Sequence, residues 1–578
     1  MDLDHIFCNV IGGFGRYQVM MTVTLSFVVF ILRTFENEDF VFNFAPRFEC
    51  RSNFNFSIVN VSETGIADVR LNHCFVWRDN QTALAHQLQE YQGLENVWNW
   101  MQLRRDRKLI SKQTCDEWVF KQNTYSSTAV TDWNLVCVRS LFIPLADFVF
   151  EFGLATVCIT GALIDVSGRR GCAGVAILLL FVAHCLCAFS FNYVMLIIAR
   201  FATGTCISLI YVTCYVLTAE YVTASTRHHA IACMSYASAF AFVTQLLTSL
   251  FLSEWRVIVL FNAALALPTL AVFFLLESPR WLLVKNKRQK ARAILAKVAS
   301  INKTSFPCFL QLPVVNRLPL TSSKSVVTSS DVTEARTTLL RWKLAFVWIV
   351  VGLLNIDAFS DVTKHQVSIN MHLLLTSLAV SVGVLCAQIM LTLRWGRRVA
   401  GVLLYFLATA IYLPRHLLNF RHDWQLYCVT IQLKVFVTAI ENVLLVQTLE
   451  LLPTSTRGRG VAQMYAVSRI VPMFRLTHAL CVHHEPTSAR IFIFLLSLAA
   501  CFVHLLLPET RDAPLEDHEH APRKPNTSTA TDAMCDDVRE DPQERTRIDD
   551  VTRSISIARS FDEPLWSTAH DIHNDVIE

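Results

Sequence analysis

The sequence predicts an all-α protein that crosses a membrane about twelve times. Slightly over half of its 578 residues are apolar (53%), and 17% carry charge, against roughly 25% in soluble proteins. Apolar runs close to one spanning length, about 20 residues, recur from end to end. The links rich in Lys and Arg all fall on one face of the resulting zigzag, as orientation by positive charge requires.

Residues 1–16 lead into the first span, 17–34. No basic start or cleavage site of a signal peptide precedes it, so it is expected to stay as an anchor. Residues 35–139 form a long polar loop with sequons at Asn55, Asn60 and Asn80 and an even set of cysteines, Cys50, Cys74, Cys115 and Cys137. Sequons and paired cysteines both belong to an oxidising, exoplasmic compartment, and four cysteines allow three pairings. Other cysteines (Cys158, Cys185, Cys187, Cys206, Cys214) sit inside apolar runs, where a thiol behaves as a small hydrophobe.

Residues 140–276 hold the next spans, near Leu141–Leu163, Gly171–Phe191, Tyr193–Thr218, His229–Leu252 and Val257–Leu276. Residues 277–343 break the apolar pattern with many Lys and Arg and read as a cytoplasmic loop with short amphipathic helices. Residues 344–507 hold the remaining spans, near Leu344–Phe359, Met371–Leu393, Arg398–Leu413, Leu426–Leu449, Gly460–Cys481 and Ile491–Leu507. The polar, acidic stretch 508–578 shows no apolar period and is expected to be disordered. Arg169, Arg170, Arg227, Arg397, Arg398, Arg457 and Arg459 share one side with the central loop, so both termini are expected in the cytoplasm.

The halves echo one another. GALIDVSGRR, Gly161–Arg170, is echoed by LTLRWGRR, Leu391–Arg398. Glu220…Arg227 is echoed by Glu450…Arg457, each at the basic end of the fourth span of its half. Duplicated halves are how many carriers are built, with the solute site between them near the midplane. Gly161–Arg170 resembles the loop after the second helix of major facilitator superfamily transporters, with Asp165, Gly168, Arg169 and Arg170 in the motif places.

Further segments resemble the organic cation/anion/carnitine transporters of that superfamily. They are FCNVIGGFGRYQ (Phe7–Gln18), CDEWVFKQNTYSSTAVTDWNLVC (Cys115–Cys137), ESPRWLL (Glu277–Leu283), ELLPTSTRGRG (Glu450–Gly460) and LLPETRDAPLED (Leu506–Asp517). The resemblance implies a major facilitator fold of two six-helix halves in the plasma membrane. It implies alternating access for small organic cations, anions or zwitterions such as carnitine, with no cofactor, metal or nucleic-acid partner. The motif residues Asp165, Gly168, Arg169, Arg170, Glu220, Arg227, Glu277, Arg280, Arg397, Arg398, Glu450 and Arg457 are then expected to form the gate. The chain departs from the family at Leu393, where an Asp is usual, at Ser381-Val382-Gly383 in place of a Glu-x-Pro, near Asn355-Ile356-Asp357, and after Arg469. Two other readings stay open: a nutrient or sugar carrier of the same superfamily, and a transport-inactive sensor or scaffold. No nucleophile–base–orienter set or phosphate loop points to an enzyme.

An ionisable residue at the centre of a span costs at least about 2.5–3.5 kcal/mol and defaults to function. Arg469, Lys434, Glu441, Gln447, Glu151 and Asp357 are the expected solute-binding residues, with Arg469 in the place where anion and carnitine carriers of the family tend to have Arg. Lys434 and Glu441, about two turns apart, lie on one face about 10 Å apart along their helix. Phe148, Phe152, Tyr211, Tyr215 and Phe436 are candidate pocket aromatics. The competing expectation is that these charges neutralise one another inside the bundle.

Overall fold

The computed structural model describes residues 3–44, 46, 48–50, 75–79, 110–115, 117–120, 125–307, 312, 327–360, 369–393, 396–417, 423–481, 487–511 and 513–515. The first half contains α1 (Arg16–Asn37), α2 (Phe142–Ala155, continued by short turns to Ser167), α3 (Arg169–Ala188), α4 (Tyr193–Tyr221), α5 (Arg227–Phe251) and α6 (Trp255–Ala266, continued as a tighter helix to Phe274). An amphipathic helix, α7 (Arg288–Asn302), follows. The second half contains α8 (Val327–Ser360), α9 (Ile369–Thr392), α10 (Gly396–Leu417), α11 (Asp423–Leu451), α12 (Arg457–Cys481) and α13 (Thr487–Leu505). Each apolar run of the sequence is one of these helices. Ten are long and apolar enough to cross a membrane by themselves. The exceptions have simple causes: α12 carries Arg457, Arg459, Arg469 and Arg475, and the apolar part of α13 is short.

Local chemistry sets the ends. The Asn192 side chain caps α4 by accepting from the Met195 amide at 2.7 Å. Ser278 caps the short helix Pro279–Val284, which has Pro at its first position, where no backbone donor is needed. Gly168 (φ +100°), just before α3, and Gly396 (φ +84°), the first residue of α10, take backbone conformations that side chains rarely adopt.

The repeat is spatial as well as sequential. In the first half α1 packs on α5, α2 on α4, and α3 on α4 and α6; in the second, α8 packs on α12, α9 on α11, and α10 on α11 and α13. The halves meet where α2 packs on α12 and α5 on α9. Gly153 and Gly204 let α2 and α4 touch backbone to backbone: a Cβ on Gly204 would lie 2.5 Å from the Phe150 carbonyl oxygen.

The long loop holds two short antiparallel ladders that the sequence did not signal, because each strand is too brief for an alternating pattern. Phe48–Cys50 pairs with Trp118–Phe120, and Phe75–Asp79 with Ile110–Thr114. Its stem is anchored to the first half. The Trp255 indole donates to Asp132 at 3.0 Å, and Arg256 reaches both Asp132 and the carbonyls of Ala188 and Ser190 at the end of α3. Asn55, Asn60, Asn80 and Cys74 lie outside the described residues, as does the Cys50 side chain. The pairing of the expected disulfides therefore stays open: the free thiols among the described residues include neither Cys115 nor Cys137. Cys187, Cys206 and Cys214 are buried free thiols, as their apolar setting requires.

Candidate functional site

One end of the bundle carries the motif residues. Glu277 accepts hydrogen bonds from the amides of Arg169 (2.8 Å) and Arg170 (3.2 Å), capping α3 across a wide sequence gap. Glu509 does the same for α10, accepting from the amides of Arg397 (2.8 Å) and Arg398 (3.0 Å). A Cβ on Gly168 or Gly396 would run into these carboxylates, so glycine is required for approach as well as for φ. The two caps complement the positive ends of helix dipoles.

Each cap places an arginine. The buried Arg169 guanidinium grips Glu220 with two bonds, Nε to Oε2 at 3.1 Å and Nη2 to Oε1 at 2.9 Å. Arg457, from the second half, donates to the same carboxylate at 3.2 Å and to the carbonyls of Leu449 and Leu452. The mirror image stands opposite. Glu450 is held by Arg397 of its own half (3.4 Å) and by Arg227 of the first half (3.0 Å). All four arginines and both glutamates are buried. Asp165 adds a further crossing: its carboxylate accepts from the amides of Gly458 (3.1 Å) and Arg459 (2.8 Å) and lies 3.2 Å from Arg169. Burial pushes the Asp165 carboxyl up from its ordinary value, opposed by Arg169 and the two amides, so this latch is held against a desolvation cost. Arg280 donates to the Glu220 carbonyl and pairs with Asp4, whose second oxygen accepts from the Leu515 amide at 3.2 Å.

The expected gate residues are therefore together. Arg170 and Arg398 enter as capped amides, and the Arg398 side chain is exposed. Asp4, Glu509 and Thr454, whose carbonyl accepts from Arg169 at 3.0 Å and whose hydroxyl accepts from Arg457 at 2.8 Å, were missed. Glu509 was detectable as the second-half counterpart of Glu277, since each follows the last span of its half.

A second cluster lies mid-bundle. Arg33 and Glu36 pair on α1. Arg469 on α12 has its guanidinium over the Tyr465 ring, 4.8 Å from the centroid, and the Glu36 and Glu151 oxygens stand 3.8 and 4.0 Å away. These are ion-pair contacts beyond hydrogen-bond length. Pro472 in α12 lacks the amide that would close the helical bond to the Ser468 carbonyl, next to Arg469. Tyr211 stacks near Tyr215 (4.7 Å) and Tyr465 (5.0 Å) beside these charges. On the second-half side, Lys434 donates to the Asn355 oxygen at 2.8 Å, and the Asn355 amide donates to Glu441. One asparagine thus bridges two charges that stand too far apart on α11 to touch. Arg33, Arg469 and Lys434 balance Glu36, Glu151 and Glu441.

Of the expected solute-binding residues, Arg469, Glu151, Lys434 and Glu441 fall in this region. Gln447 does not: it is buried toward the gate end and donates to the Pro508 carbonyl. It is on another face of α11 from Glu441, turned to the segment that follows α13. The Asp357 side chain lies outside the described residues. Asn355 and Tyr465 were missed, because a neutral amide and one more aromatic in a span carry no signal until their partners are known.

A family model described as Sugar (and other) transporter matches residues 123–521. The chain is 27% identical to solute carrier family 22 member 6-B of Xenopus laevis, over 88% of this chain and 92% of that one. It is 26% identical to the organic cation transporter protein of Drosophila melanogaster (72% and 78% covered) and 28% identical to organic cation/carnitine transporter 2 of Homo sapiens (71% and 74%). Among solved structures, the major facilitator proton:xylose symporter XylE bound to 6-bromo-6-deoxy-D-glucose superposes with a TM-score of 0.51 at 16% identity, covering 66% of this chain and 89% of that one. That likeness is one of fold.

Proposed function

Because the chain belongs to the sugar (and other) transporter family and, within it, to the organic cation/anion/carnitine transporters, we propose that its solutes are small carboxylate-bearing organic ions, anions or zwitterions of the carnitine kind. It is a multi-pass plasma-membrane carrier of small organic solutes that works by alternating access, not an enzyme.

Arg469 carries the proposal. It is a cation at mid-bundle that no described carboxylate hydrogen-bonds, since Glu36 is engaged by Arg33 and Glu151 stands 4.0 Å off. A planar guanidinium meets a carboxylate with two parallel bonds, which a substrate ammonium cannot offer. Glu36 and Glu151 beside it suit the cationic end of a zwitterion, and Tyr211 and Tyr465 suit its apolar body. Lys434, Asn355 and Glu441 form the facing wall.

The gate end is the cytoplasmic end on this reading, supported by its arginines and by the positive-inside preference. Glu220 and Glu450 then lock the inward path, and opening it breaks Arg457–Glu220 and Arg227–Glu450 while the pairs within each half persist. Solute must bind the two states unequally, because equal affinity shifts nothing.

The test is uptake of labelled carnitine, a quaternary amine and an aromatic carboxylate by cells expressing the parent and Arg469→Asp. Carboxylate-bearing solutes should lose uptake per surface molecule while the amine is kept or gains. Unchanged selectivity in a well-expressed variant would remove Arg469 from the site.

A further inference from the structure

The two gate latches are built alike except at one position. At the first, Arg169 and Arg457 face two carboxylates, Glu220 and Asp165. At the second, Arg397 and Arg227 face Glu450, and the place of Asp165 is taken by Leu393, four residues before Arg397. Leu393 is 39% exposed and does not fill the gap with a packed side chain.

The consequences are visible in what lacks a partner. Asp165 caps α12 at the amides of Gly458 and Arg459; the equivalent amides on α5 belong to His228 and His229, and α5 has no side-chain cap. Arg227 is fully buried, yet its Nε and Nη2 have no hydrogen-bond acceptor among the described residues. His228 is buried at 6% exposure with neither ring nitrogen partnered. The charged groups that act most strongly on His228 are cations or potential cations: His229, Arg397, Arg511 and Arg227. A buried N–H without an acceptor costs about 1–3 kcal/mol, more when the donor is charged. A helix start that offers free amides beside two guanidinium groups is an anion site.

We propose that a small monovalent inorganic anion, chloride in ordinary media, binds at the start of α5 in the place that Asp165 occupies at the start of α12. The anion completes the second latch, accepting from the His228 and His229 amides and from arginine, and restores the charge balance that the first latch has covalently. The site is independent of the organic solute and of every mid-bundle residue. Its occupancy strengthens the closed gate, because opening separates Arg227 from Arg397 and scatters the donors.

The experiment uses purified full-length protein in nanodiscs of neutral lipid. Unfolding is followed in sodium chloride and in sodium gluconate at equal ionic strength, and binding of radiolabelled chloride is measured alongside. Chloride should raise the unfolding midpoint saturably, as a ligand of the folded state must. Leu393→Asp supplies the missing carboxylate. It should be as stable in gluconate as the parent is in chloride and should bind labelled chloride at least about tenfold more weakly, through close-range repulsion. Thr226→Asp brings a carboxylate to the same amides from the N-cap and should also abolish the response, so the location is tested twice. Leu393→Asn should keep it. A parent with equal midpoints in the two salts and no saturable label overturns the proposal. A full chloride response in either folded Asp variant overturns it as well, by placing the anion elsewhere.

Discussion

The Asp165 carboxylate accepts a hydrogen bond from the Arg459 amide at 2.8 Å, so a side chain of the first half caps a helix of the second. Intrahelical caps are local and survive any rigid-body motion. This one joins the two halves, and on the reading proposed above it breaks whenever they separate at this end.

Asp165→Ala is therefore expected to unlatch the gate without unfolding the protein. Loss of a cap costs about 0.5–2 kcal/mol, a roughly twofold to thirtyfold shift between closed and open gates. Uptake per surface molecule should fall, and cysteine labelling at the gate end should rise. Equal uptake and equal labelling in mutant and parent would show the contact to be idle.

Glu277 and Glu509 differ from Asp165 in kind. Each caps a helix of its own half, so each holds structure in every state of the cycle. Glu277→Ala and Glu509→Ala should each destabilise the folded protein by about 1–2 kcal/mol. Thermal unfolding of the purified variants measures this. A normal midpoint with lost transport would move them into the switch itself.

Asn355 is expected to be intolerant of shortening. Asn355→Ala leaves Lys434 and Glu441 without their bridge, at a cost of roughly 1–3 kcal/mol. Surface expression should drop, and a second change, Glu441→Gln, should restore part of it by removing one stranded charge. No rescue would mean that the bridge is incidental to stability.

Gly204→Val should abolish surface expression, since the added side chain meets the Phe150 carbonyl on α2. Gly171→Val is the control: nothing lies within 4 Å of a Cβ there. If both variants express alike, the α2–α4 contact is looser than its geometry implies.

The loop 35–139 should be exoplasmic and glycosylated at one or more of Asn55, Asn60 and Asn80. Glycosidase treatment of surface protein should increase gel mobility, and replacing all three by Gln should remove the effect. An unchanged mobility would set aside both the modification and the sidedness inferred from it.

Much of the molecule was legible in the sequence because spans are read from apolar length, and a repeated motif announces repeated placement. The pairing of the gate charges was legible as a set, since Glu220 and Glu450 recur with Arg227 and Arg457. Which arginine meets which glutamate was not, because each glutamate takes one of its two partners from the other half, more than 200 residues away. Gln447 shows the limit of counting along one helix: its partner is the Pro508 carbonyl beyond α13, which no feature of α11 reveals. Asn355 shows the opposite limit. Its neutrality hid it, although it joins the two charges that were noticed.

The stem of the long loop is bolted to the first half through Asp132, Trp255 and Arg256. A label or antibody fragment held on that stem therefore rides with the first half as a passive passenger, whatever the second half does. Distances from such a tag to the outer end of α9 would read the rocking of one lobe against the other directly. The stem is, by the same fastening, a convenient handle on the first half.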